Sequence, residues 1–288
     1  MSLLPRHVAV VSESKSVSAD DLSPVAAALQ KQVSRDFGPI WGVNGTVDSF
    51  ARLEDVPVDY WPVILEDDIK DPTAAGYHTD KNGQPFSLVL ADEGWALTTS
   101  HETLEMLADP FGNRTVAGSP PQQAPPSIRK LKRVLYLVEV CDPCEDESCS
   151  YSVNGVTLSD FITPHYYDPT EQTSVRYSFR GKIKSPHQVL NNGYISFGDP
   201  ISGNWYQIEV ASNKASLVNL GKLDATGKSL REQIDLKTRQ NRKSQGYRIK
   251  SKPLAMTAKA GAAAGNSLRQ SGEGRAKMLH EVIKTLKA

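Results

Sequence analysis

The strongest constraint on how this chain can fold is the division of its charge. Residues 221–288 carry 16 Lys and Arg against 5 Asp and Glu, a balance of +11. The first 220 residues therefore carry 17 basic and 28 acidic side chains, a balance of −11, within a 288-residue chain of zero net charge. A segment so rich in one charge, and nearly without aromatics after Tyr247, buries too little apolar surface to offset the entropy of ordering it. The core must come from the acidic part, followed by a basic, partly disordered tail. Residues 258–265 (AKAGAAAG) are low in complexity, and about 240–273 are expected to be mobile. One short helix is expected near the end, over Gly274–Leu286, because Met278, Val282 and Leu286 recur at helical spacing. Such a tail suits an anionic partner or nucleic acid.

Hydrophobic residues make up 39% of the chain, enough for a real core. No apolar run is long enough to span a bilayer, so no membrane partner is expected. Val8–Val11 is too short for the apolar region of a signal peptide, which predicts a cytoplasmic setting. Three cysteines exclude a disulfide-dense scaffold. Cys141, Cys144 and Cys149 lack a fourth zinc partner, leaving either a Cys144–Cys149 disulfide or free thiols, according to the compartment.

Ser23-Pro24 reads as a helix start, with Val25, Leu29 and Val33 on one face and an end near Phe37-Gly38-Pro39. Strands are predicted at Val47–Leu53, Trp61–Leu65 and Pro85–Ala91, the last preceded by a turn at Lys81-Asn82-Gly83. A helix follows from about Thr98 to Ala108. It stops there because Asp109, standing before Pro110, is disfavoured in the helical region. After a Pro-rich loop come strands at Leu131–Cys141, Tyr151–Phe161 and Ser174–Gly181. The fold class is α+β, with a mostly β second half.

The chemistry is concentrated in the Thr98–Ala108 helix. His101-Glu102-x-x-Glu105 has the form of the zinc-peptidase HExxH motif with Glu in place of the second His. Residues i and i+4 lie on one helix face, so His101 and Glu105 can share one metal ion. Glu102, one residue on, can act as general base toward a water activated there. A structural alternative is that Thr99 and Glu102 form a capping box, with His101 and Glu105 a plain helical pair.

The segment Thr99–Pro110 (TSHETLEMLADP), together with Glu139-Val-Cys-Asp-Pro143 and Asp160-Phe-Ile-Thr-Pro164, resembles a group of bacterial and phage-associated zincin-like metalloproteases that carry S-H-E-x-L-E-x-L-A-D-P, E-V-C-D-P and D-F-x-T-P. The similarity covers roughly residues 20–200. It implies a zincin-like core, a small mixed sheet with its active-site helix, over 1–118. A mostly β subdomain over 119–220 and the basic tail over 221–288 would follow. It also implies zinc, or another divalent metal, as cofactor, a peptide or protein substrate, and virion association as a second possible location. The departure from ordinary zincins is Glu105.

The third ligand is sought among several residues. Asp109 lies about 12 Å of helical rise beyond His101, so it would need the chain to turn back. Glu139 is favoured. If the strand runs through Cys141, Glu139 follows Leu135 and Leu137 on one face, and a carboxylate there needs a partner, either a metal or a Lys or Arg. Asp142 and His165 are weaker choices. His78, in Gly76-Tyr-His-Thr-Asp80, reads as a surface turn histidine, with oxyanion stabilisation as its functional alternative. The expected function is thus metal-dependent peptide hydrolysis, with Glu102 as base and His101, Glu105 and Glu139 as ligands. An extended substrate would add to the strand Pro85–Ala91. The rival expectation is a non-enzymatic structural or interaction protein with a vestigial or structural metal site.

Overall fold

The computed structural model describes residues 4–71, 73–224, 227–245 and 269–286. Its strands are β1 (Arg6–Ser12), β2 (Gly45–Phe50), β3 (Tyr60–Glu66), β4 (Gly76–Lys81), β5 (Gln84–Leu90), β6 (Thr115–Gly118), β7 (Val134–Leu137), β8 (Tyr151–Val153), β9 (Val156–Leu158), β10 (Tyr194–Gly198), β11 (Asn204–Ala211) and β12 (Lys214–Lys222). Its helices are α1 (Ala19–Lys31), α2 (Gly38–Trp41), α3 (Trp95–Ala108), α4 (Pro126–Arg129), α5 (Leu230–Gln245) and α6 (Arg269–Leu286). The architecture is mixed α/β. No helix among the described residues is long and apolar enough to cross a membrane.

The chain forms two compact units. One is drawn from Met1–Pro110, Ser152–Leu158 and Arg248–Ala288, the other from Phe111–Tyr151 and Ser159–Tyr247. The break falls at 110/111 rather than at 118, because the turn forced by Pro110 ends α3 and with it the first unit's main run.

The first unit is built on a five-stranded sheet of order β2-β1-β3-β5-β4. Strands β2, β1, β3 and β5 are mutually parallel, and β4 pairs antiparallel with β5 at the edge. Strand alternation sorts the side chains. Ala9, Val11, Ile64, Tyr77, Phe86 and Leu88 form one core face, covered by Ala276, Leu279 and Ile283 of α6. Residues one step out of phase, such as Ser87, turn to the other face, where Ser87 meets Met106 of α3. Helix α1 begins earlier than Ser23-Pro24 suggests. Ser18 and Asp21 form a reciprocal capping box, and Pro24 lies inside the helix. A π-helical stretch, Gln32–Phe37, carries the chain on into α2.

The strand predicted at Pro85–Ala91 is β5, but it lies inside the sheet, between β3 and β4. The edge is β4, whose six residues are too short and polar to stand out by alternation. The Asn82-Gly83 turn carries the missing signal. Both residues have positive φ, 54° and 79°, and Lys81 pairs with Gln84 across them. A two-residue turn of this kind requires a strand on each side.

The second unit holds an antiparallel sheet of order β12-β11-β10-β7-β6. The strand expected over Leu131–Cys141 is only Val134–Leu137. Val138 donates to Arg114, and the Glu139 amide folds back onto the Leu137 carbonyl. The alternation that placed Glu139 with Leu135 and Leu137 therefore stops at Leu137. The expected tail begins inside this unit. Strand β12 runs to Lys222, and Ile234 of α5 packs with Leu137, Trp205 and Leu220. The expected terminal helix is present as α6, with Ala276, Leu279 and Ile283 buried and Met278 and Val282 only partly so. Most of the stretch expected to be mobile, residues 246–268, lies outside the described residues. The three cysteines are buried free thiols, and burial pushes those of Cys144 and Cys149 up from their ordinary range.

Candidate metal centre

Helix α3 starts at Trp95 with Gly94 as its cap residue. Thr99 is therefore already in the second turn, and its hydroxyl donates to the Trp95 carbonyl at 2.7 Å. This removes the capping-box alternative and leaves Glu102 available. At the other end the helix stops at Asp109, with φ −139° and ψ 77°, as the following proline requires. From Thr99 to Ala108 every residue of α3 is buried except His101, which is partly exposed. Two carboxylates, Glu102 and Glu105, are thus held away from water, with His101 at the opening.

The edge strand supplies the other half of the cluster. His78 is buried on β4, not in a surface turn. Tyr77 joins the core on one face of the sheet, so His78, one residue on, faces the other, toward α3. Gly76 lets β4 approach closely. A Cβ there would stand 2.7 Å from Thr98 Cγ2 and 3.0 Å from Glu102 Cγ, so a larger residue would push the strand off the helix.

Around this contact the distances are short. His101 Nε2 lies 3.2 Å from Glu105 Oε1. His78 Nδ1 lies 3.9 Å from Glu105 Oε2 and 3.6 Å from Glu102 Oε2. The other His78 nitrogen, Nε2, lies 3.0 Å from the Asp109 carbonyl oxygen. A carbonyl only accepts, so Nε2 carries the proton and donates. Glu102 Oε2 is buried and has no hydrogen-bond partner among the described residues. Buried carboxylates need a compensating positive charge or donor. Two ligand atoms at about 2.0–2.2 Å from one zinc ion sit roughly 3.4 Å apart when tetrahedral. The His101–Glu105 separation therefore fits a shared divalent ion.

Asp109 is at the end of α3 and contributes its carbonyl to His78. Glu139 lies in the second unit, buried, with Oε2 paired to Arg231 of α5. That is the arginine alternative the sequence allowed for. Asp142 is buried in a tight turn of the second unit, Asp142–Cys144. His165 is on the surface, 2.7 Å from Asp168. Sequence reasoning placed His78 in a surface turn, because its strand was not recognised.

No family model matches this chain, and neither the curated proteins nor the solved structures contain a significant match to it.

Proposed function

We propose that this protein is a metal-dependent hydrolase, most simply a peptidase, whose active site is the α3–β4 cluster. The observation that carries the reading is the pairing of His101 and Glu105 on one helical face, beside a buried Glu102 oxygen that has no hydrogen-bond partner among the described residues.

In this reading His101 and Glu105 hold the ion. When bound, the ion supplies Lewis acidity, lowering the pKa of a water and polarising the scissile carbonyl. Glu102 takes the proton from that water and can pass it to the leaving amine. Its burial keeps bulk water from competing for the proton. The substrate-binding edge is β4 rather than the strand Pro85–Ala91, since β5 already has partners on both sides. An extended peptide adding to β4 would be held by main-chain hydrogen bonds beside α3.

The test is metal analysis of the purified protein with peptide hydrolysis measured alongside. Wild type is expected to carry one zinc ion and to cleave a peptide library. Glu102→Gln is expected to keep the metal and lose at least about 100-fold in rate, the usual contribution of a general base. A protein that binds no divalent metal, or a Glu102→Gln variant as active as wild type, would overturn the reading.

A further inference from the structure

We propose that Glu105 bridges two ion positions: the one it holds with His101 through Oε1, and a second, weaker one for a divalent cation that it shares with His78 through Oε2. This rests on the metal-site reading above and adds a second ion to it.

Three observations carry it. First, the two histidines stand against different oxygens of one carboxylate. His101 Nε2 lies 3.2 Å from Glu105 Oε1, and His78 Nδ1 lies 3.9 Å from Glu105 Oε2. Among the described residues His78 and His101 fall in separate groups of potential ligand atoms, and Glu105 belongs to both. An ion at about 2.0–2.2 Å from its ligands holds a nitrogen and an oxygen roughly 3 to 4.2 Å apart, according to the angle between them. Each pair therefore fits an ion of its own. Second, the Asp109 carbonyl orients His78. Nε2 donates to that oxygen at 3.0 Å, so the neutral ring presents the Nδ1 lone pair on its other side. Metal-bound histidines are usually held in this way. Third, an ion at His101 leaves the charge of Glu102 unanswered. Glu102 is 3% exposed, and its Oε2 has no hydrogen-bond partner among the described residues. His78 Nδ1 stands 3.6 Å from that oxygen. Glu102 thus lies beside the second position as base rather than as ligand, and a cation there offsets its buried charge.

The two positions differ in strength. Divalent ions that share one carboxylate repel each other, so the second to bind is held less tightly than the first. His101 and Glu105 form the narrower pair and stand on one helix. His78 must be carried to Glu105 by β4, which approaches α3 closely only because residue 76 is glycine. The first ion therefore belongs to His101 and the second to His78. Other positions on each ion stay open to water, substrate and further side chains. Paired ions about 3.5–4 Å apart serve several classes of hydrolase, aminopeptidases among them, by stabilising the attacking and leaving groups together.

The test is a zinc titration of the full-length protein with ¹⁵N-labelled histidine, alongside metal analysis. The first equivalent is expected to shift the His101 Nε2 resonance. A second equivalent, bound only when zinc is in excess, is expected to shift His78 Nδ1 while His78 Nε2 keeps its proton. His78→Gln retains a donor for the Asp109 carbonyl but offers no imidazole nitrogen, so it should lose the second equivalent and keep the first. Glu105→Gln has one oxygen left to offer and cannot bridge, so it should bind at most one ion. A thermal melt of each variant without metal shows whether it folds. If a variant is unfolded, the wild-type titration decides. Saturation at one zinc, an unmoved His78 Nδ1, or a folded His78→Gln or Glu105→Gln that still binds two ions overturns the bridged pair and leaves the metal-site reading standing. Absence of zinc binding by wild type overturns both.

Discussion

The two units bury carboxylates in opposite ways. In the second unit Glu139 is buried against the guanidinium of Arg231, itself held 3.6 Å from Asp235 one helical turn on. That cation is permanent, because arginine stays charged at any physiological pH. In the first unit Glu102 and Glu105 face two histidines instead. A guanidinium answers burial once and for all, which is what a structural ion pair needs. Under the proposed function, imidazoles instead accommodate an exchangeable cation. A fourth carboxylate, Asp160 of the second unit, answers burial by holding its proton to higher pH than usual. Desolvation pushes it up to about 6, although Phe161 and Arg180 donate backbone hydrogen bonds to it.

The largest effect should come from breaking the fixed pair. Arg231→Met leaves Glu139 as a buried charge without its guanidinium and is expected to destabilise the protein by about 3–5 kcal/mol in urea unfolding. The double variant with Glu139→Gln should recover much of that loss. If Arg231→Met alone is neutral, the two buried sites do not differ in the way argued.

Asp160 gives the next effect, about 3 kcal/mol. Its folded pKa of about 6 exceeds the ordinary 3.8, so the native state holds the extra proton between those values. The stabilising contribution is complete below pH 3.8 and lost as pH rises through 6. Asp160→Asn keeps an acceptor for the two backbone donors. It should therefore gain stability at pH 7–8 and not at pH 3.5. His187 works in the opposite direction, because burial pushes it down to about 4, so its contribution is lost as pH falls from 6.5. The variant should consequently show a decline between pH 6.5 and 4 that wild type masks.

Metal removal tests the other side of the comparison. Zinc at 100 times its Kd should add about 2.7 kcal/mol to the stability of wild type, removable with a chelator. Glu105→Gln should show little of that increment, and Arg231→Met should show all of it.

The smallest effect lies far from either site. Ser18→Ala removes the α1 capping box and should cost about 1 kcal/mol, with zinc affinity unchanged.

Much of this was legible from local pattern. The α3 helix, its end at Asp109, the strands β3 and β5 and the turn at Asn82-Gly83 follow from short-range rules of spacing and backbone sterics, and so does the facing of His101 and Glu105. What failed did so where local rules have no purchase. Pro24 looked like a helix start because the capping power of Ser18 and Asp21 competes with it one turn earlier. The tail looked unable to fold because its charge hides the few apolar residues, Ile234, Leu279 and Ile283 among them, that α5 and α6 contribute to the cores.

By itself, then, the sequence determined which residues could do chemistry on one helix, since a helix repeats every 3.6 residues wherever it lies. Tertiary structure alone decided which of two histidines outside ordinary motif spacing is buried against α3. His78 and His165 look alike in sequence, each beside a tyrosine in a polar stretch. One is brought under α3 by an edge strand whose pairing partner lies across a turn, and the other stays at the surface beside Asp168. The Asn82-Gly83 turn marks the strand, but which face of a sheet a helix covers is a long-range outcome that neighbouring residues do not encode.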